Sequence, residues 1–186
     1  SEIDHVVWAG VKVVPECKVD AANTHFDSDA NGVLYTENKV ELRSVPSNIM
    51  TKVSGDTYTV NTDVKSITVG AFAEAPNLKK IKLPAGLEKV GEEGWPSIAS
   101  TSTLEAFEID SGNANFDVVD GVLFTKGPKK LLLYPHAKNV TDYTVPAGVE
   151  EIASYGISRN KYITSIDLKD VTKVQISALV NLLKLK

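Results

Sequence analysis

The sequence has little cysteine, no excess of positive charge and no long apolar run. Cys17 is its only cysteine, so no disulfide can form within the chain. Lys and Arg total 20 against 24 Asp and Glu, and the net charge of −4 offers no positive footprint for nucleic acid or anionic lipid. No run approaches the roughly 18 apolar residues of a membrane span. We therefore expect no nucleic-acid partner and no membrane span, and an export signal, if used, would already have been removed.

A short motif recurs along the chain. Residues 78–83, 104–109 and 163–168 all read apolar-x-x-apolar-x-apolar. A strand with this pattern buries its apolar face only by stacking on similar strands. The motif therefore predicts six parallel strands in sequence order in one sheet, near residues 14–19, 55–60, 78–83, 104–109, 140–145 and 163–168. The central side chains should form one buried column: Cys17, Tyr58, Ile81, Phe107, Tyr143 and Ile166.

A second pattern lies between these motifs. Apolar pairs three residues apart, such as Val64 and Ile67, are followed five residues later by an aromatic residue. Residues 70–75 are interpreted as about one helical turn opposite the strands. We expect the aromatic residues at this position to point inward and pack beneath the column: Trp8, Phe72 and Trp95.

The chain is nearly two copies of a larger unit, because Cys17 and Phe107 occupy equivalent positions 90 residues apart. Each copy has two β-prone runs around a polar turn, at 33–45 and 122–134, and each predicts a β-hairpin that projects from the sheet. The expected organisation is a single domain of two super-repeats of about 90 residues, with hairpin inserts: residues 1–186, with inserts near 20–54 and 110–139.

Several segments resemble one repeat family. Residues 67–72, 78–84 and 121–124 are similar to the BspA-like leucine-rich repeats, and the resemblance extends from Ile3 to about Val174. It implies an α/β fold, a right-handed leucine-rich-repeat solenoid with a parallel strand ladder, short helical turns opposite it and two β-hairpin insertions. It also implies a secreted or cell-surface bacterial protein associated with adhesion and protein binding. The family provides no fixed functional residues to transfer.

The polar segment from Asp27 to Gly32 matches the first six positions of an EF-hand calcium loop. The twelfth position is Asn38 where the loop requires Glu, and helical flanks are missing, so we favour a polar turn, with weak calcium binding as the alternative. No cofactor or metal is predicted, because the histidines fall in no metal-ligand spacing: His5, His25 and His136.

Alternation along the strands assigns an outward face to the ladder. The candidate binding residues on this face are Lys18, Thr59, Lys80, Lys82, Glu108, Asp142 and Asp167. The first half of this face is expected to be basic and the second half acidic, with Lys82 opposite Glu108. A polar face without aromatic rings suits a protein partner better than a stacked sugar.

The leading hypothesis is a secreted or cell-surface binding or adhesion module without catalysis. It would act as a monomer and bind a protein ligand of unknown identity, with host extracellular proteins as candidates. The alternative is an architectural spacer within a larger surface protein. A carbohydrate-active enzyme on a repeat scaffold is a weaker alternative, because it requires a concave cluster of acids and aromatics that the sequence does not show.

The C-terminal residues repeat the same spacing once more, through Val171, Val174 and Leu179. Two interpretations follow. Another strand begins near Leu185, or residues 175–185 form an amphipathic helix that caps the solenoid. Both predict that Leu179 is covered.

Overall fold

The computed structural model describes residues 16–73, 75–91, 101–127 and 129–186. These residues form a β-solenoid of about five turns. Its short strands are β1 (Phe26–Ser28), β2 (Leu34–Thr36), β3 (Glu41–Ser44), β4 (Thr57–Thr59), β5 (Ser66–Ile67), β6 (Lys80–Leu83), β7 (Lys89–Val90), β8 (Ala106–Ile109), β9 (Phe116–Val119), β10 (Val122–Thr125), β11 (Lys130–Leu133), β12 (Asp142–Thr144), β13 (Glu151–Ile152), β14 (Ser165–Asp167) and β15 (Lys173–Val174).

Helix is almost absent, so the expected α/β class is wrong. In the described ranges, helical structure is confined to two 3-10 segments, Glu37–Lys39 and Ile49–Thr51. The helical turn expected at 70–75 is replaced by hydrogen-bonded turns, in which the Ala73 N–H donates to the Gly70 carbonyl at 2.8 Å. Gly70 has a φ of +69°, a left-handed conformation that cannot belong to a right-handed helix.

The first ladder consists of the strands predicted from the motif. Parallel pairing joins β4, β6 and β8 in one sheet and β12 and β14 in another, in sequence order. The register aligns Tyr58, Ile81 and Phe107 across the first sheet and Tyr143 with Ile166 across the second. The motif thus located five strand segments correctly, but the prediction of one continuous sheet is wrong.

A tight turn interrupts the first ladder between β8 and β12. The Phe107 N–H donates to the Gly121 carbonyl at 2.9 Å, so Gly121 lies beside β8 where the next strand would pair. Gly121 has a φ of +74°, and a Cβ at this position would lie 2.9 Å from the Cβ of Ala106. The close approach therefore requires glycine, and its left-handed backbone cannot continue a strand.

The same arrangement occurs at the start of the described chain. The Cys17 N–H donates to the Gly32 carbonyl at 2.9 Å, and a Cβ on Gly32 would lie 2.7 Å from the Cβ of Glu16. The strand predicted at 14–19 is not found in its described part, residues 16–19, while residues 14 and 15 lie outside the described ranges. Cys17 is half-buried rather than fully buried, and this burial raises the pKa of its thiol.

A second ladder follows the apolar pairs. In each super-repeat a three-stranded antiparallel unit continues into parallel strands, giving the orders β1-β2-β3-β5-β7 and β9-β10-β11-β13-β15. The runs at 33–45 and 122–134 therefore lie within this ladder through β3 and β11. They do not project from the solenoid as expected, because β3 and β11 pair with β5 and β13.

The core lies between the two ladders. The central residues Tyr58, Ile81, Phe107 and Tyr143 are buried, as predicted, whereas Ile166 is only half-buried. Phe72 is fully buried, and its ring packs edge-on against Tyr58 at a centroid distance of 5.6 Å. The same prediction for Trp8 and Trp95 falls outside the described residues.

Buried asparagines join successive coils. The Asn113 carbonyl oxygen accepts from the backbone N–H groups of Asn115 and Phe116, while its amide donates to the Leu87 carbonyl at 2.9 Å. Asn160 repeats this geometry, and its amide donates to the carbonyls of Pro135 and Lys138. These side chains satisfy backbone groups that would otherwise be buried without partners.

The C-terminal coil forms no capping helix within residues 175–185, so that interpretation is wrong. Leu179 is half-buried and packs against the core, as both interpretations required. The Lys186 N–H donates to the Thr164 carbonyl at 3.0 Å, beside β14. Ile176 and Leu183 are 82% and 88% exposed. Among the described residues, no helix combines the length and apolar character of a membrane span.

Candidate functional site

The outward face of the first ladder, here called the ladder face, carries most of the predicted binding residues. The register places Lys82 opposite Glu108, as predicted. The ammonium of Lys82, however, contacts Asp110 Oδ1 at 2.8 Å, and Lys80 contacts Glu108 Oε1 diagonally at 3.9 Å. The hydrogen bond to Asp110 raises the pKa of Lys82. Sequence reasoning missed Asp110 because it follows the end of β8.

These ion pairs change the charge of the ladder face. Lys79 also has an acidic partner, with its Nζ 3.4 Å from Glu105 Oε1. Each lysine on or beside β6 thus has an acid on or beside β8. The expectation of a basic first half does not hold here, because the face carries matched pairs of opposite charge.

The second sheet of the ladder face is acidic and rich in hydroxyl groups. Asp142 accepts hydrogen bonds from Ser165 Oγ at 2.6 Å and from Thr141 Oγ1 at 3.0 Å, and both lower its pKa. Asp167 contacts Lys169 Nζ at 2.8 Å, and this hydrogen bond lowers the pKa of Asp167. Lys18 is exposed and lies on no strand, so it is separate from both sheets.

A polar cleft lies where the ladder face meets the first hairpin. It has a volume of about 350 Å³. The lining residues come from the turn before β2 and from the chain around β4: Asp29, Asn31, Tyr35, Val53, Ser54, Thr57, Tyr58, Thr59 and Asn61. Of these, sequence reasoning had singled out Thr59 for the ladder face and Asp29 and Asn31 for the calcium loop. The cleft itself could not be inferred, because it depends on how the hairpin turn stacks against β4.

Asp29 organises the floor of this cleft. Its Oδ1 accepts from the backbone N–H groups of Asn31 at 2.9 Å and Val33 at 3.1 Å, and its Oδ2 accepts from the Tyr35 hydroxyl at 3.1 Å. Asp27 points elsewhere and contacts Lys39 Nζ at 2.9 Å. The segment therefore has the geometry of a polar turn. Within the part of the chain that the structure describes, no group of three His, Cys, Asp or Glu side chains is placed to hold a metal ion.

Two tyrosines line the cleft beside Asp29. Tyr35 and Tyr58 are both buried. Burial raises the pKa of Tyr58 to about 12, and burial likewise raises the pKa of Tyr35. Both phenols therefore stay protonated at neutral pH and can donate or accept hydrogen bonds.

In the described part of the second super-repeat, Tyr134 and Tyr143 lack the aspartate partner that Tyr35 has in the first. Tyr134 and Tyr143 pack edge-on there at a centroid distance of 4.6 Å. Within the described structure their hydroxyls are buried without hydrogen-bond partners. Asp120, at the tip of the second hairpin, contacts Lys138 Nζ at 3.0 Å.

Comparison with known proteins agrees with the repeat architecture. Residues 35–118 match the BspA type leucine rich repeat region in six copies. No curated protein matches the chain. The crystal structure of the pneumococcal vaccine antigen PcpA is similar over 68% of this chain, with 30% sequence identity and a TM-score of 0.59. This chain covers 31% of that protein's chain.

Two further solved structures show weaker similarity. A leucine-rich repeat protein from Eubacterium ventriosum is 21% identical with a TM-score of 0.49, over 77% of this chain and 56% of its own. A leucine rich cell surface protein from Faecalibacterium prausnitzii is 16% identical with a TM-score of 0.44, over 70% of this chain and 46% of its own. The resemblance found in the sequence is confirmed by the family match, and residues 35–118 of the chain form a BspA-type leucine-rich repeat region.

Proposed function

We propose that this chain is a non-catalytic protein-binding module of a bacterial surface or secreted protein, and that it binds through the ladder face. The observation that carries the proposal is the array of charged and hydroxyl side chains on parallel strands. The backbone register fixes the spacing of these side chains before any partner arrives. Such preorganisation reduces the entropy lost on binding.

The chemistry of the face favours a protein partner. The ion pairs Lys80–Glu108 and Lys82–Asp110 are exposed, so each contributes little to stability and can exchange for a partner's charges. The aromatic side chains on the described strands of the first ladder are buried and offer no platform for a sugar ring: Tyr58, Phe107 and Tyr143. Complementary charge is therefore the main source of specificity available to the described ladder face.

A location at the bacterial surface is supported by one structural neighbour. The 30% identical PcpA is described as a pneumococcal vaccine antigen. We extend a surface or secreted location to this chain on the basis of its similarity to that antigen and of its own repeat match.

We also propose that the two super-repeats act as one domain. The first core cluster, which extends from Val33, includes Leu132, Leu133 and Ala153 from the second super-repeat. Side chains of both copies thus pack in one apolar cluster, which favours a rigid binding surface over two independent modules.

The test is a charge reversal on the ladder face, Lys80→Glu with Lys82→Glu. The matched control also reverses two lysines, but on or beside the second ladder and away from the ladder face: Lys65→Glu with Lys89→Glu. Binding to a panel of immobilised extracellular-matrix and serum proteins is measured at low and physiological salt. We expect the ladder variant to lose at least tenfold in affinity and most of its salt dependence, because exposed charges are screened by salt.

Unchanged affinity in a correctly folded ladder variant would remove the ladder face from the binding site. An equal loss in the control variant would show that only net charge matters. If the parent binds no protein on the panel more strongly than serum albumin, the binding function fails for this panel and the spacer alternative gains support. Circular dichroism of both variants checks that the fold is retained.

A further inference from the structure

The two hairpins differ at the positions that form the cleft. Gly32 of the first super-repeat corresponds to Gly121 of the second, and Tyr35 corresponds to Phe124. The strand pairing aligns Ser28 with Val118, so Asp29 corresponds to Val119. Two polar side chains in the first copy are thus replaced by apolar ones of similar shape in the second.

The second copy shows that the fold does not require these polar groups. Phe124 is fully buried and Val119 is 39% exposed, while β10 forms the same antiparallel pairings with its neighbours as β2 does. Burial of a carboxylate and a phenol is costly unless hydrogen bonds compensate. Asp29 caps the turn before β2, which explains its Oδ1 contacts but not the direction of Oδ2 and Tyr35 towards the cleft.

The cleft combines a single charge with amide and hydroxyl groups that can both donate and accept hydrogen bonds. Among its described lining residues Asp29 alone has a charged side chain. Three donors occupy this carboxylate, which as an ion has about four acceptor positions, so one position on Oδ2 remains for a ligand. The nearby ammonium of Lys52 does not neutralise it, because Lys52 contacts Glu16 at 2.7 Å and the Asn31 carbonyl at 3.2 Å.

The backbone of β4 adds further acceptors. The Asp56 carbonyl and the Val60 N–H both bond to β6, through Lys80 and Lys82. Because backbone groups alternate along a strand, the carbonyls of Thr57 and Thr59 point away from β6, towards the cleft, together with the N–H groups of the same residues. A ligand rich in N–H donors therefore meets a carboxylate oxygen at the floor and carbonyl oxygens along one wall.

We propose that this cleft binds an organic cation with several N–H donors, a guanidinium or a primary ammonium, presented as an Arg or Lys side chain of the protein partner. A volume of about 350 Å³ is sufficient for one such side chain. A neutral sugar fits less well, because the rings of Tyr35 and Tyr58 are buried and offer no stacking face. The assignment of the cation to a partner protein rests on the proposed binding function, whereas the cleft can be tested without it.

The experiment is an NMR titration of the full ¹⁵N-labelled chain with four probes at equal ionic strength. Nα-acetyl-arginine amide and Nα-acetyl-lysine amide carry the cation, Nα-acetyl-citrulline amide is the neutral isostere of the arginine probe, and glucose represents a sugar. We expect both cations to shift the amides of residues 29–35 and 53–61. The citrulline probe should bind at least tenfold more weakly, since a hydrogen bond to a charged group is about twice as strong as a neutral one and gains Coulomb attraction.

Variants locate the site. Asp29→Asn keeps an oxygen that can cap the turn but removes the charge, and we expect at least tenfold weaker binding of the arginine probe. Tyr35→Phe introduces the residue found in the second super-repeat and should weaken binding of the arginine probe several-fold. This variant still tests the cleft if Asp29→Asn does not fold. Asp120→Asn removes one charge from the other hairpin and should leave the affinity unchanged.

Equal binding of arginine and citrulline probes would overturn the proposal, as would unchanged affinity in Asp29→Asn or no cleft shifts with any probe. Stronger binding of glucose than of the cations would identify a sugar site instead. If the small cations bind in the cleft while no panel protein is captured, the proposed protein-binding function fails and the cleft remains a site for free amines. If proteins are captured through the ladder face while the cations do not bind, only the cleft proposal fails.

Discussion

The coil around β6 and the coil around β14 contain the same motif but have different neighbours. β6 pairs with β4 on one side and β8 on the other, and its central Ile81 is fully buried. Among the described strands β14 pairs only with β12, and its central Ile166 is half-buried. The comparison shows that burial at a repeat position is set by the adjacent coils and not by the motif alone, as expected for a solenoid whose stability is a sum of nearest-neighbour terms.

The largest difference is expected from truncating the two central residues. Ile81→Ala leaves a cavity between stacked coils and should reduce the free energy of unfolding by about 2–5 kcal/mol. Ile166→Ala removes a side chain that is already partly in water, so its cost should be less than half as large. Urea unfolding followed by circular dichroism measures both values. Equal losses of unfolding free energy at the two positions would show that the adjacent coils do not determine the cost of truncation.

A smaller and more local effect is expected at Asn160, which joins the last coil to the coil before it. Asn160→Ala leaves the carbonyls of Pro135 and Lys138 without this donor and should cost about 1–3 kcal/mol. Because the last described coil has one neighbouring coil in the described structure, its opening can occur without global unfolding. Amide hydrogen exchange should therefore accelerate more at 163–168 than at 78–83. Uniform acceleration would show instead that the solenoid unfolds as a single unit.

The smallest effect is expected from pH. Glu151 on β13 contacts Lys130 of β11 at 2.9 Å and Lys173 of β15 at 3.3 Å. Burial opposes ionisation of this carboxyl, but its hydrogen bonds to Lys130, Gln175 and Lys173 prevail and lower its pKa. Because the pKa is lower in the folded state, the stabilisation is fully present above the unfolded value near 4 and is lost as pH falls through the folded value.

We therefore expect Glu151→Gln to be less stable than the parent at pH 7 and equal to it near pH 2–3. Thermal unfolding at several pH values measures this difference. A difference that persists at low pH would indicate that the substitution acts through packing and not through charge. Among the described strands, β15 pairs with β13 alone. We therefore expect Glu151→Gln to accelerate amide hydrogen exchange most in β15.

The sequence predicts well what depends on local alternation and poorly what depends on contacts between coils. The register of Tyr58, Ile81 and Phe107 and the burial of Phe72 followed directly from the repeat spacing. The repeat spacing did not predict that the turn at Gly121 takes the place of a strand. In the sequence, a turn containing glycine is equally consistent with the tip of a hairpin that projects outward.

The candidate site was predictable only as a set of outward positions. Alternation gave Lys80, Lys82 and Glu108, whereas the pairing of Lys82 with Asp110 depends on the path of the chain after β8. The cleft around Asp29 required the three-dimensional stacking of a hairpin turn on β4. Its sequence signal is the contrast between Asp29 and Tyr35 in one copy and Val119 and Phe124 in the other.

The turn at Gly121 has a mechanical consequence. Both ladders change sheet near it, since β8 ends one sheet of the first ladder and β7 ends one sheet of the second. The described backbone hydrogen bonds that cross this boundary include Phe107 to Gly121 and Ala137 to Leu104. If the protein is pulled along the solenoid axis, the hydrogen bonds between coils lie along the force and open one after another. Among the described residues, the boundary has fewer of these bonds in succession. The chain should therefore part there first under tension, leaving two shorter stacks that can rejoin when the force is released.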